Sequence, residues 1–124
     1  MPAEPLIAVI DDDESMRNGL VTLVRSAGYA AQGFASADGF LGLGRDAWRD
    51  FACVVTDIQM PGLSGIELKQ RLSAAQSPLP VIMITARDEA GIEERAHAAG
   101  ALCFLRKPIE AAVLIRCLES ALRA

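Results

Sequence analysis

Apolar residues along this chain fall into short continuous runs, separated by longer segments in which they recur every three or four positions. Short runs that are rich in β-branched residues and bounded by turn signals are typical of strands buried on both faces, as in a parallel sheet. The runs are Leu6–Ile10, Phe51–Thr56, Val81–Ile84 and Ala101–Arg106. Because the segments between these runs have helical periodicity, the pattern predicts an α/β fold.

Two helices and a further strand are predicted between the first two runs. Helical periodicity extends over Glu14–Ala27, and Gly28 supplies a stop signal. A weaker strand is predicted at about Tyr29–Phe34. Ser36 is then a candidate N-cap for a short helix over about Ala37–Leu43, which its glycines weaken.

Three more helices are predicted in the second half of the chain. Ser64 and Glu67 have the spacing of a capping box at the start of the first of them. The next spans about Asp88–Ala98, and the last spans about Glu110–Leu122. Strands that alternate with helices imply right-handed crossovers, and therefore one doubly wound parallel sheet.

Polar residues stand at the carboxyl ends of the four apolar runs. They are Asp11 and Asp12, Asp57, Thr85 and Lys107. In doubly wound sheets ligands bind outside the carboxyl ends of the strands, so these residues are expected to meet at one edge. Three carboxylates, a hydroxyl and an ammonium group at one edge predict a metal-assisted phosphoryl-transfer site.

The carboxylates are the metal-binding part of this predicted site. Crowded aspartates repel one another unless a cation separates them, and Mg²⁺ prefers oxygen ligands of this kind. Asp11 and Asp12 are predicted to bind the ion, whereas Asp13 and Glu14 are interpreted as solvated acids at the start of a helix. Asp57 is the predicted nucleophile, because a carboxylate can attack phosphorus to form an acyl phosphate.

Thr85 and Lys107 are predicted to stabilise the phosphoryl oxygens. Taken singly, each is equally an ordinary residue at a strand end, and only their shared edge favours a functional role. The proline and glycines after Asp57 bring the backbone close to the site, so the Gln59 carbonyl is predicted to reach the metal. The Lys107–Pro108 bond is a candidate cis peptide that would aim the lysine into the site.

Composition and charge argue against several other classes of protein. A chain of 124 residues that is 52% hydrophobic and 23% charged predicts one compact domain rather than a disordered segment. A net charge of −4 argues against direct nucleic-acid binding. No apolar stretch approaches the roughly 20 residues of a membrane span, and the N-terminus does not resemble a signal peptide, so a cytoplasmic protein is expected. Three cysteines without C-x-x-C spacing and a single histidine argue against zinc.

These motifs together resemble the receiver domain of bacterial two-component response regulators. The resemblance rests on Asp11-Asp12, on Asp57 within Asp-Ile-Gln-Met-Pro-Gly-Leu-Ser-Gly, on Thr85-Ala86-Arg87 and on Lys107-Pro108. It implies a flavodoxin-like (βα)5 fold with a five-stranded parallel sheet in the order 2-1-3-4-5. It covers about residues 6–122 and implies that residues 1–124 form a single receiver domain with its core at about 6–122.

The resemblance also implies a chemical role for each residue at the predicted edge. Asp57 would be phosphorylated by a sensor histidine kinase in a reaction that depends on Mg²⁺, with Mn²⁺ as an alternative ion. Asp12, Asp57 and the Gln59 carbonyl would ligate the metal, and Asp11 would act through water. Thr85 and Lys107 would bind the phosphoryl oxygens.

Signal output is implied to depend on two switch residues. Thr85 would move toward the phosphoryl group, and Phe104 would rotate into the space that it leaves. The surface made by the fourth helix, fifth strand and fifth helix would then change and meet a partner. Gln59, Ala86 and Arg87 would modulate the reaction, although Gln59 and Arg87 are equally interpretable as solvated loop residues.

Partners follow from the same resemblance. The loop motifs are most like receivers that precede a helix-turn-helix output domain, which this chain does not contain. A single-domain regulator and a receiver taken from a longer transcription factor both stay open. DNA is expected to be reached only through such an output domain, no membrane contact is expected, and a homodimer on phosphorylation is an alternative to a solvated last helix.

Other functions fit this sequence less well. An Asp-nucleophile phosphatase would need a second carboxylate two residues after Asp57, where the chain has Gln59. A flavin-binding module would not place three aspartates where its phosphate lies. A phosphorylation-independent interaction module is the alternative that stays open. The chain is expected not to be an enzyme beyond its own phosphoryl transfer and autodephosphorylation.

Overall fold

Strands and helices alternate along residues 4–87 and 89–123, which are the residues that the computed structural model describes. The strands are β1 Leu6–Ile10, β2 Ala30–Phe34, β3 Cys53–Asp57, β4 Val81–Thr85 and β5 Cys103–Arg106. The helices are α1 Glu14–Ser26, α2 Ala37–Leu41, α3 Arg45–Trp48, α4 Gly65–Ala74, α5 Ile92–Ala98 and α6 Ala111–Arg123.

All neighbouring strands pair in parallel, in the order β2-β1-β3-β4-β5. The predicted doubly wound sheet and its order 2-1-3-4-5 are therefore confirmed. Ile10 is paired with Thr56, so the residues that follow β1 come level with the end of β3. Thr85 is paired with Arg106, so the residue after β5 comes level with the end of β4.

The sheet separates two hydrophobic layers. One contains side chains from α2, α4 and α5, including Phe40, Leu68 and Ile92. The other contains side chains from α1 and α6, including Val24 and Leu118. Because both faces are covered, every residue of β3 and β4 is buried, which explains why these strands have no polar alternation in sequence.

Several predicted boundaries were wrong by a few residues. The strand predicted at 51–56 starts later because the Phe51 N–H donates to the Trp48 carbonyl, in the preceding turn. The strand predicted at 101–106 starts at Cys103, because the Ala101 N–H donates to Ala96 of α5. Asp57 and Thr85 are the last residues of β3 and β4 rather than the first residues beyond them.

The helix predicted over 37–43 is also corrected. It ends at Leu41, and a separate short helix, α3, follows Gly44, whose φ of 90° breaks the helical backbone. The indole N–H of Trp48 donates to the Phe40 carbonyl at 3.2 Å, which holds the two helices together. The sequence analysis missed α3 because four residues carry too little periodicity to predict a helix.

Helix starts were predicted well where a side chain caps them. Ser64 and Glu67 form the capping box at the start of α4, with distances of 2.9 and 3.1 Å. The start of the helix predicted from Asp88 lies outside the described residues, and α5 begins at Ile92 after Gly91. Across the described ranges, none of the helices has the length and apolar character needed to cross a membrane.

Candidate functional site

The aspartates predicted to meet at the carboxyl edge lie together there. Asp11 directly follows β1 and Asp57 ends β3. One carboxylate oxygen from each of Asp11, Asp12 and Asp57 lies within 4.8 Å of the others. Asp11 is fully buried and Asp57 is 7% exposed, whereas Asp12 is exposed, so the cluster opens to solvent on the Asp12 side.

Lys107 supplies the positive charge next to these carboxylates. Its Nζ atom lies 3.2 Å from Asp11 Oδ2 and 3.6 Å from Asp57 Oδ2, and the lysine side chain is 18% exposed. The backbone N–H of Lys107 donates to the Thr85 carbonyl at 2.9 Å, which ties it to the end of β4. The bond to Pro108, for which the sequence left the isomer open, is cis.

Asp11 is fixed in this cluster by its neighbours in sequence. Its Oδ1 accepts the Asp13 N–H at 2.9 Å, and its backbone carbonyl accepts from the Arg17 guanidinium at 2.8 Å. Asp13 itself caps α1 by accepting the Met16 N–H at 3.0 Å, so its interpretation as a helix-start acid is confirmed. Sequence analysis did not identify Arg17, because nothing in the spacing of α1 indicates that it reaches back to β1.

The unpaired oxygen of Asp57, beside the carboxylates of Asp11 and Asp12, fits a hard divalent cation. Lys107 contacts Oδ2 of Asp57, and Asp57 Oδ1 is buried without a hydrogen-bond partner among the described residues. A buried carboxylate oxygen without a donor carries a large desolvation cost, which a cation can offset. The three carboxylates of Asp11, Asp12 and Asp57, with this one oxygen unpaired, form a donor set suited to Mg²⁺.

The surroundings of Asp57 disfavour the ionised form of its carboxyl group. Burial raises the pKa of Asp57 above its ordinary value, and the negative charges of Asp11 and Asp12 raise it further. The Lys107 ammonium and the Ile58 N–H act in the opposite direction and lower this pKa. Burial has the largest effect, so ionised Asp57 is destabilised in the folded protein.

We expect Asp57→Asn to stabilise the metal-free protein at pH 7. A carboxyl group whose pKa is raised on folding binds its proton more tightly when folded, so the folded protein loses stability as pH rises from about 4 through the raised pKa. Asn removes this loss, and the difference should shrink toward pH 4. Urea unfolding between pH 4 and pH 8 measures it.

The matched control for this measurement is Asp46→Asn, since the Asp46 side chain is fully exposed on α3. It should show no comparable dependence on pH. Equal stability of Asp57→Asn and the parent at every pH would contradict the electrostatic account of Asp57.

Thr85 lies at the same edge but does not bond to the aspartates. Its hydroxyl lies 2.7 Å from Gln59 Oε1 and 2.9 Å from the Arg87 carbonyl, and it accepts the Arg87 N–H at 3.1 Å. Thr85 is 1% exposed, so its hydroxyl depends on these partners. The side-chain bond to Gln59 was not predicted, because the two residues are 26 positions apart.

A cleft of about 500 Å³ opens beside the cluster. Among the residues that line it are Asp12, Gln59 and Arg87. Ala86 and Arg87 are exposed just beyond β4. Of the residues predicted to modulate the reaction, Gln59 and Arg87 therefore line this cleft, while the roles assigned to them stay predictions.

Comparison with known proteins shows the family to which this arrangement belongs. Residues 7–119 match the model of the response regulator receiver domain. The chain is a receiver domain. Phosphorylation-based signalling is the general function of this family, which the predicted site and fold anticipated.

Two groups of known proteins are similar to this receiver. It is 44% identical over 119 residues to the transcriptional regulatory protein FixJ of Bradyrhizobium diazoefficiens, covering 94% of this chain and 56% of that protein. Among solved structures, the FixJ-N crystal structure gives a TM-score of 0.88 at 31% identity, over 98% of this chain and 96% of that one. A receiver protein from Burkholderia phymatum gives 0.84 at 43% identity, over 97% and 96%. The receiver spans about half the length of the curated relatives it matches.

The predicted switch residue Phe104 lies in β5 of this receiver, away from the carboxylates. It is partly buried, it pairs with Met83 in the sheet register, and it packs against the α2–α4–α5 layer. The Arg106 guanidinium lies 5.0 Å from its ring centroid, and the His97 ring lies at 6.3 Å. Phe104 therefore lies in β5 beside α5. The surface predicted to change, made by the fourth and fifth predicted helices and the fifth strand, corresponds to α5, β5 and α6.

Proposed function

We propose that this receiver is a phosphorylation-dependent switch in which Asp57 accepts a phosphoryl group from a sensor histidine kinase. The observation that carries the proposal is the state of Asp57 itself. It is nearly buried, one of its oxygens is unpaired, and Lys107 lies next to the other. A carboxylate whose pKa is raised by burial is a more basic nucleophile, and a carboxylate can attack phosphorus to form an acyl phosphate.

The proposed step is a transfer between two covalent bonds. A carboxylate oxygen of Asp57 attacks phosphorus, a P–O bond forms, and the bond from phosphorus to the donor's histidine nitrogen breaks, leaving its electron pair on that nitrogen. Lys107 stays near the acyl phosphate and pairs with its oxygens. Mg²⁺, or Mn²⁺, held by Asp12, Asp57 and the Gln59 carbonyl, with Asp11 acting through water, would neutralise the remaining phosphoryl charge.

We propose that the reaction ends at the acyl phosphate and its hydrolysis. Position 59 offers an amide where a phosphatase of this type has a second carboxylate. Gln59 therefore supplies no general acid to protonate a leaving group, so multiple turnover of a separate substrate is not expected. In this sense the receiver is not an enzyme, although it carries out its own phosphorylation.

The phosphoryl group is proposed to change the surface formed by α5, β5 and α6. Thr85 leaves its present partners to donate to a phosphoryl oxygen, and Phe104 rotates into the space that Thr85 vacates. A shift from 1:99 to 99:1 between the two arrangements needs about 5.5 kcal/mol. Charge-assisted hydrogen bonds that exist only after phosphorylation supply energies of this order.

The output is proposed to be transcriptional. The curated relatives are named transcriptional regulatory proteins, and they are about twice as long as this receiver. We propose that the changed surface forms a homodimer and controls a DNA-binding output domain, which would make contact with DNA in place of the receiver. Sedimentation of the receiver with and without a bound phosphoryl analogue tests the dimer.

Intact-mass analysis after incubation with acetyl phosphate tests the chemistry. With Mg²⁺ present we expect the mass of one phosphoryl group to be added, and with a metal chelator we expect little or none. Asp57→Asn should abolish the adduct because the attacking oxygen is gone. Asp46→Asn is the matched control, since it makes the same change on an exposed carboxyl and should leave the adduct intact.

Two results would contradict the proposed function. An adduct that survives in Asp57→Asn would show that another residue accepts the phosphoryl group. A parent protein that gains no mass, even with Mg²⁺, would favour a phosphorylation-independent interaction module.

A further inference from the structure

The Thr85 hydroxyl is already committed in this structure. A hydroxyl has one proton to donate, and here it points to Gln59 Oε1 at 2.7 Å or to the Arg87 carbonyl at 2.9 Å. Its lone pair accepts the Arg87 N–H at 3.1 Å. A phosphoryl oxygen on Asp57 therefore has to compete for a proton that is in use.

We propose that Gln59 is a positioning residue that holds Thr85 in the unphosphorylated arrangement and so lowers the affinity of the site for a phosphoryl group. This inference rests on the function proposed for Asp57 and Thr85. It assigns to the Gln59 side chain a role separate from that of its backbone carbonyl. The side chain acts as a latch, by which we mean the bond between Gln59 Oε1 and the Thr85 hydroxyl.

Burial gives the latch its strength. Thr85 is 1% exposed, so in its present position the hydroxyl is shielded from water and depends on Gln59 and Arg87. It moves only when another acceptor is offered, because an unpaired buried hydroxyl is costly. The two residues are 26 positions apart, with Gln59 just after β3 and Thr85 at the end of β4, so their bond also links the ends of these two strands.

The same amide shows why the latch can be released. Gln59 Nε2 is buried and has no hydrogen-bond partner among the described residues. Turning the amide by 180° would put Nε2 on the hydroxyl and leave Oε1 unpaired instead, so one polar atom goes unsatisfied in either orientation. A latch with this defect is weaker than a bond from Thr85 to a charged phosphoryl oxygen.

Beryllium fluoride with Mg²⁺, which stands in for the phosphoryl group, is the probe. Gln59→Met keeps the side-chain length but removes the shorter of the two acceptor contacts, leaving the Arg87 carbonyl at 2.9 Å. We therefore expect the analogue to bind about threefold more tightly, the lower end of the worth of one hydrogen bond. Gln59→Asn is too short to reach Thr85 and should behave in the same way. Isothermal titration calorimetry on the whole chain measures the dissociation constant.

The decisive comparison repeats the substitution in a Thr85→Ala background. If Gln59 acts through the Thr85 hydroxyl, Gln59→Met should have no effect on affinity once that hydroxyl is absent. Gln70→Met is the matched control, because Gln70 is exposed on α4 and should leave affinity unchanged.

Three results would overturn the latch. Unchanged or weaker binding by both Gln59 variants would show that the bond does not oppose phosphoryl binding. An equal gain with and without the Thr85 hydroxyl would show that Gln59 acts directly on the bound group. Failure of the parent protein to bind beryllium fluoride would instead remove the proposed function, and the latch with it.

Discussion

Gly65→Ala is expected to lower the free energy of unfolding by about 3 kcal/mol. Gly65 is the first residue of α4, and its N–H donates to the Ile58 carbonyl at 3.0 Å. A Cβ atom at this position would lie 2.6 Å from the Asp57 carbonyl oxygen and 3.0 Å from Thr56 Cγ2. The closest contact is backbone, so α4 or the end of β3 has to move, and urea unfolding measures the cost.

Gly19→Ala is the matched control for this substitution. Gly19 is exposed within α1, and a Cβ atom there meets nothing within 4 Å. Because alanine favours helix more than glycine, this change should stabilise the protein by about 1 kcal/mol. Equal effects of the two substitutions would contradict the close packing of α4 on the strand that carries Asp57.

We also expect Gly65→Ala to slow phosphorylation, since it displaces the end of β3 that carries Asp57.

Lys107→Met is expected to slow phosphorylation of Asp57 by about 100-fold or more. The lysine is the cation that touches both Asp11 and Asp57, at 3.2 and 3.6 Å. Its removal leaves two buried carboxylates side by side and should raise the pKa of Asp57 further, since Lys107 is the group that most lowers it. The rate of mass gain with acetyl phosphate and Mg²⁺ measures the effect.

Lys69→Met provides the control, because Lys69 is the other lysine of the chain. It lies on α4 and donates to Ser73 at 2.9 Å in an exposed bond. It should react at the rate of the parent protein. Comparable rates for Lys107→Met and Lys69→Met would show that the charge of Lys107 is not needed for the transfer.

The fold was predictable because hydrophobic burial leaves a direct trace in sequence. Strands that are covered on both faces need continuous apolar runs, and β3 and β4 have them. Parallel order then brings the carboxyl ends to one edge, which is why residues as distant as Asp11 and Lys107 were expected together. Their distance of 3.2 Å in the structure agrees with that expectation.

Other features left too weak a trace. The helix α3 has four residues, and its stability comes from tertiary contacts such as the bond from Trp48 to Phe40 and the stacking of their rings at 6.3 Å. The contact of Arg17 with the Asp11 carbonyl depends on how α1 lies against β1. Neither has a spacing rule from which it could be predicted.

The amino-acid sequence by itself determined the elements, the parallel sheet and the set of polar residues at its carboxyl edge. These follow from local burial patterns and from the chirality of the strand connections, which act on the chain segment by segment. Only the tertiary structure decided which polar atoms are paired. Thr85 is committed to Gln59 and Arg87, and Asp57 Oδ1 has no partner among the described residues. Whether a hydrogen bond forms depends on differences of a few tenths of an ångström in the positions of groups from separate parts of the chain, and no sequence pattern encodes those positions.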